Sequence, residues 1–145
     1  MNLLIFKQLA ILSSFAGVIL GLITIIPYIS MFSFLILMLC LSAILITYLK
    51  QNDLIGIISI KEGCIFGAVI GFISFITFSV AYVPLSMLLG WLIPSYTQGF
   101  LRFFLTSFGS VIVMILLIIL TAGISALFNG FAGIVTAWIY ELISG

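Results

Sequence analysis

The sequence predicts an all-α integral membrane protein: a four-span transmembrane helix bundle, with a short interfacial helix between spans three and four and a long or kinked last helix. Two observations carry this. Hydrophobic residues make up 66% of the 145-residue chain and charged residues 5%, with a mean hydropathy of +1.59, whereas a soluble domain carries roughly 25% charged residues to cover its surface. The few charges also cluster. Lys50, Asp53, Lys61 and Glu62 all fall within "KQNDLIGIISIKEG", residues 50–63, and separate apolar stretches of about the 20 residues that cross a hydrocarbon core of about 30 Å. A net charge of +1 supplies no basic field for nucleic acid and no acidic field for cations. Nucleic acid is therefore excluded as a partner, and the lipid bilayer is the expected one.

Each element follows from local chemistry. The start "MNLLIFKQLAILSSFAGVILGLITIIPYIS" looks superficially like a secretory signal, but a signal's apolar region is only about 7–15 residues long and ends at a small-residue cleavage site. Here the run from Leu9 to Ile26 is 18 residues long and "PYISMF" follows it. We read an uncleaved first span, 9–26, ended by Pro27, whose missing N–H would cost a helical hydrogen bond. After that short connection, the second span covers 31–49. The third covers 63–83, with Pro84 as its boundary. The fourth apolar segment runs from Arg102 to Tyr140 and would reach about 57 Å as one helix, too long for one straight crossing. We read a span at 103–127 and a continuation helix at 131–143, kinked or broken at Asn129–Gly130 because that pair favours turns; a clean fifth span is the alternative. Residues 1–145 form a single transmembrane domain on this reading.

Between spans three and four, "PLSMLLGWLIPSYTQGFLR" mixes prolines, Trp91, Tyr96 and leucines, the composition of a headgroup interface. A short interfacial helix from Leu85 to Ile93 is expected there; a re-entrant loop would need buried polar partners that the stretch lacks. Lysines near span ends bias their loops to the cytoplasm. Lys7, Lys50 and Lys61 thus put the N-terminus and the 50–62 loop inside, with Arg102 opposite, and an even span count returns the C-terminus to the cytoplasm. The location implied is the inner (plasma) membrane. The loop's apolar centre, "LIGIIS", is expected to lie along the membrane surface.

Helices in lipid associate through close packing at small residues. Gly63, Gly67 and Gly71 recur every four residues on one face of span three, and Gly17 and Gly21 do the same on span one. The last segment carries two further rows, Ala122, Ala126, Gly130 and Asn129, Gly133, Ala137. These are the candidate helix-packing positions.

Catalytic chemistry has little to work with. There is no histidine, so no imidazole base or ligand. Cys40 and Cys64 are expected at different depths, which disfavours a disulfide. Asp53, Glu62 and Glu141 are isolated near the membrane surface, and Glu62 reads as a charge favouring a helix N-terminus. We expect no catalytic residue, no cofactor and no metal site. Asn129 is the one strongly polar group within a span and the candidate polar site. The hydroxyls of Ser74, Thr77, Ser79, Thr106, Ser107, Ser110, Thr121, Ser125 and Thr136 can bond their own helix backbone or bridge helices.

"GFAGIVTAWIYELI" (Gly130 to Ile143) resembles the last span of small multi-pass prokaryotic membrane proteins of unknown function, which close on an aliphatic residue, Tyr and Asn. Tyr140 matches the tyrosine, and Glu141 stands where the asparagine would be. "KEGCIFGAVIGFIS" (Lys61 to Ser74) is similar to the lead-in to a span in such proteins. The resemblance implies a small inner-membrane protein with a cytoplasmic C-terminus. Two functions from different classes are compatible with the sequence. One is a non-enzymatic structural or accessory component acting through helix packing with itself, as a homo-oligomer, or with another membrane protein. The other is a small transporter or channel subunit working as an oligomer, its polar path passing Asn129.

Overall fold

The computed structural model describes residues 3–93 and 111–145, about nine-tenths of them helical and none of them in a strand. Among the described residues four helices are long and apolar enough to cross a bilayer: α1 (Leu3–Ile23), α2 (Pro27–Gln51), α3 (Ile60–Leu92) and α4 (Val111–Ser144). The four-span reading therefore stands at this level, and the element boundaries differ in instructive ways.

Pro27 does not simply end the first span. α1 stops at Ile23, and Pro27 occupies the first turn of α2 after an extended Ile26, where a proline's fixed φ and missing N–H cost nothing. The "PYISMF" stretch expected as a connection is thus helical. The tight corner is held by hydroxyls: Thr24 Oγ1 and Ser33 Oγ both donate to the Leu20 carbonyl, at 2.6 and 3.0 Å. α2 ends at a left-handed residue, Asp53 (φ 54°). The Leu54 N–H reaches the Leu49 carbonyl at 3.0 Å and the Asp53 N–H that of Lys50 at 3.2 Å, the paired bonds that stop a helix when the next residue turns left-handed.

In the 52–59 connection Ile55 and Ile58 are buried, whereas Ile57 is 93% exposed, and Lys50 Nζ donates to the Gly56 carbonyl at 2.8 Å. Ser59 then caps α3: its hydroxyl accepts the Glu62 N–H at 3.3 Å, and its own N–H donates to Glu62 Oε2 at 3.0 Å. This reciprocal pair gives Glu62 a structural role at the helix start. Ser59→Ala should lower stability by about 1 kcal/mol, read as an earlier midpoint in a denaturant titration.

α3 continues through Pro84 to Leu92 as one 33-residue helix. The separate interfacial helix expected at Leu85–Ile93 is instead the last part of α3, and Ile93 is its cap. The proline removes one hydrogen bond, to the Val80 carbonyl, but nine more residues beyond it retain theirs. A bilayer beginning level with Gly63 would end about twenty residues on, near Pro84, so the lost bond falls where water can replace it. α4 likewise runs unbroken through Asn129 and Gly130. The expected break at that pair is absent, and 131–143 is the same helix as the span before it. The first residues of the expected fourth span, 103–110, and Tyr96, Arg102, Thr106, Ser107 and Ser110 lie outside the described residues.

α3 is the central helix, packed on α4 along one side and α1 along another, with α2 closing the unit. Gly17 lies against Ser74 and Gly21 against Phe78, so α1 and α3 run parallel; Gly63 lies against Gly133 and Gly71 against Ser125, so α4 is antiparallel to α3. In this register Lys7, ten residues before Gly17, is level with Cys64, ten before Ser74. Lys7, Lys50, Lys61, Asp53, Glu62 and Glu141 consequently share one end of the bundle.

Candidate functional site

The glycine rows make the closest helix contacts. A methyl group on Gly67 would overlap the Asn129 carbonyl oxygen and lie 3.0 Å from Gly130 Cα. On Gly71 it would lie 2.5 Å from the Ser125 carbonyl oxygen, and on Gly63 2.6 Å from both Ala137 Cβ and the Gly133 carbonyl oxygen. Gly133 answers from α4, where a methyl would strike the Gly63 carbonyl. In each case the opposing atoms are largely backbone, which cannot rotate aside. Gly17 and Gly21 form the second seam, facing Thr77 and Ser74 in one case and the Phe78 carbonyl oxygen (3.0 Å) in the other. All five glycines therefore serve contacts within the chain. Of the α4 rows, Ala122, Asn129, Gly130, Gly133 and Ala137 are buried and Ala126 is half-buried.

At the middle of these seams sits Asn129, fully buried and directed at an irregularity in α2 that the sequence reading missed. Residues Ile36–Cys40 form a π-helical turn between two α-helical pieces, Pro27–Leu35 and Leu41–Gln51. In a regular helix the Ser42 N–H would bond the Met38 carbonyl. Here the Asn129 carboxamide stands between them: Oδ1 accepts the Ser42 N–H at 2.9 Å, and Nδ2 donates to the Leu37 and Met38 carbonyls, both at 3.0 Å. The side chain thus replaces a backbone hydrogen bond with a pair running to another helix. Ser42 Oγ returns a bond to the Asn129 carbonyl at 2.7 Å, and Ser125 Oγ joins α3 by donating to the Gly71 carbonyl at 3.1 Å. Ser42, Ser74, Ser125 and Asn129 are all fully buried, and Ser74 Oγ donates within its own helix to the Ile70 carbonyl.

The sequence hinted at this only weakly. Buried positions in α2 step from Ser33 to Leu37 and then to Leu41 and Ser42, and the five-residue step from Leu37 to Ser42 marks the π turn. Among those apolar residues no side chain announces it; the partner, Asn129, lies 87 positions from Ser42.

Chemically the arrangement is a framework. Among the described residues no buried side-chain polar atom lacks a partner, and no group of His, Cys, Asp or Glu could hold a metal ion. Cys40 and Cys64 are free thiols, and Asp53, Glu62 and Glu141 lie at the lysine end, away from Asn129. Compared with known protein families, characterised proteins and solved structures, the chain has no match.

Proposed function

We propose that the chain is a non-enzymatic, multi-pass protein of the inner (plasma) membrane, a structural or accessory component that works as a packed helical scaffold, with both termini in the cytoplasm. The observation that carries this reading is the state of Asn129. The most polar group of the interior has its donors and acceptor taken up by backbone and serine partners, so it acts as an interhelical brace and not as a lining for a solute path. The glycine seams support the same view, being closed by the chain's own helices. Any second copy or other membrane protein meets the scaffold on its exposed apolar flanks.

The orientation rests on the lysines. Lys7, Lys50 and Lys61 share one end of the register described above, and the positive-inside bias assigns that end to the cytoplasm. Glu141, three residues before Ser144, belongs to the same end. In a Cys40→Ala, Cys64→Ala background, Ser144→Cys should resist a membrane-impermeant thiol reagent in intact cells and react once the cells are opened. Labelling in intact cells would overturn the orientation. The scaffold reading has its own test: ion or small-solute flux through reconstituted protein that disappears in Asn129→Leu would replace it with a transport role.

A further inference from the structure

A cavity of about 380 Å³ opens between α2, α3 and α4, its wall built from residues including Phe34, Phe75, Phe78 and Met114. The three phenylalanines meet edge to face or tilted, with ring centroids 5.8–6.5 Å apart. Its size falls in the range of ligand pockets, about 300–1,000 Å³. Its depth follows from the helix register. Counting from Gly63, Phe75 lies about 18 Å and Val83 about 30 Å along α3, so the cavity occupies the half of a hydrocarbon core farthest from the lysines. Met31, at its rim, is 71% exposed on the flank of the bundle.

The wall's hydroxyls are turned to their own backbone. Ser79 donates to the Phe75 carbonyl at 2.9 Å, Thr121 to that of Leu117 at 2.7 Å, and Ser30 to that of Pro27 at 2.7 Å. Thr24 is held by Leu20 and Ser33. The hydrogens of these serine and threonine hydroxyls are committed to backbone or serine acceptors, and apart from these residues and Tyr82 the wall is apolar. The cavity is therefore suited to hydrocarbon, and at this depth on a lipid-facing flank the abundant hydrocarbon is the tail of a bilayer lipid. A flexible chain also fills an irregular aromatic slot better than a rigid partner helix could.

We propose that this cavity is a binding site for one acyl tail of a phospholipid from the leaflet opposite the lysines. The site rests on the bilayer embedding proposed above. The test uses the full chain in proteoliposomes containing a phosphatidylcholine with a diazirine in mid-tail, with photolabelled peptides mapped by mass spectrometry. Labelling should concentrate on residues 75–83 and 114–121. Thr121→Phe, which fills the slot, should lose most of it, whereas Leu120→Phe, on the neighbouring lipid-exposed position, should keep it. Should Thr121→Phe fail to fold by thermal unfolding, Ser79→Leu fills the same space from α3. Equal labelling of all lipid-facing segments, or undiminished labelling in the filled variant, would overturn the tail site. Carbonate extraction keeps the two readings apart: protein released from the liposomes overturns the embedding, while retained protein without preferential labelling overturns the tail site alone.

Discussion

Gly67→Leu is expected to unfold the protein or to lower its stability by more than about 3 kcal/mol, beyond the usual range for overpacking. Overpacking is commonly relieved when a neighbouring side chain changes rotamer. At Gly67 the atoms in the way are the Asn129 carbonyl oxygen and Gly130 Cα, so relief requires α3 and α4 to move apart along the whole Gly63–Gly71 seam. That movement also stretches the Ser125–Gly71 hydrogen bond, 3.1 Å long, and drags Asn129 from the π turn of α2. A total stability of about 5–15 kcal/mol does not easily absorb such a loss. Gly67→Ala should cost less, about 1–3 kcal/mol, since one methyl demands a smaller separation. The internal control is Gly123→Ala. Nothing lies within 4 Å of a methyl there, and alanine gains up to about 1 kcal/mol over glycine in a helix interior, so this variant should match or exceed the parent. Thermal unfolding in detergent and in nanodiscs reads all three. If Gly67→Leu and Gly123→Ala melt together, the seam is not what holds α3 to α4.

What could be read from the sequence was what depends on composition over twenty residues; what could not depends on one residue meeting another far along the chain. Four apolar stretches, parted by Pro27, by the charged 50–63 stretch and by the segment from Pro84 to Arg102, set the span count, and the spacing of Gly63, Gly67 and Gly71 named a packing face whose partner, α4, only the fold identifies. Pro27 marks a boundary, but on the α2 side of it, because a proline fits a helix start and a helix stop equally well until the preceding residue's conformation is known. Pro84 and Asn129–Gly130 misled for different reasons. Beyond Pro84 only Ser86 of α3 is buried, and the helix continues because the proline forfeits just one hydrogen bond, whereas Asn129 and Gly130 are both buried and Asn129 is held by partners in α2 that no local window contains. The hydroxyls, by contrast, mostly behave as their helical context suggests: Ser79, Thr121 and Thr136 each bond the carbonyl four residues back.

The second large effect is expected at Asn129, because its side chain supplies bonds that α2 cannot make for itself. Asn129→Leu leaves the Ser42 N–H without an acceptor and takes one donor from the Leu37 and Met38 carbonyls. A buried polar group left unpaired costs about 1–3 kcal/mol, while interhelical hydrogen bonds in membranes average nearer about 0.6 kcal/mol. Three affected groups, with Ser125 losing a neighbour as well, place the total at about 2–5 kcal/mol, between those scales. Leucine keeps the branching of asparagine but is the bulkier side chain, so at this fully buried position overpacking adds to the loss. The π turn then offers a way to separate this account from simple misfit. Deleting Leu39, an exposed residue of that turn, would shorten it to an α-helical turn, so that the Ser42 N–H finds the Leu37 carbonyl four positions back within its own helix while the faces of both flanking pieces are kept. In the parent the deletion should be costly, because Asn129 loses its partners and becomes the unpaired group. Combined with Asn129→Leu it should cost clearly less than the sum of the two changes, a favourable coupling of at least about 1 kcal/mol in a double-mutant cycle. Additive or worse losses in that cycle, measured by denaturant titration of the four proteins, would mean that Asn129 merely fills space beside α2 and does not complete its backbone.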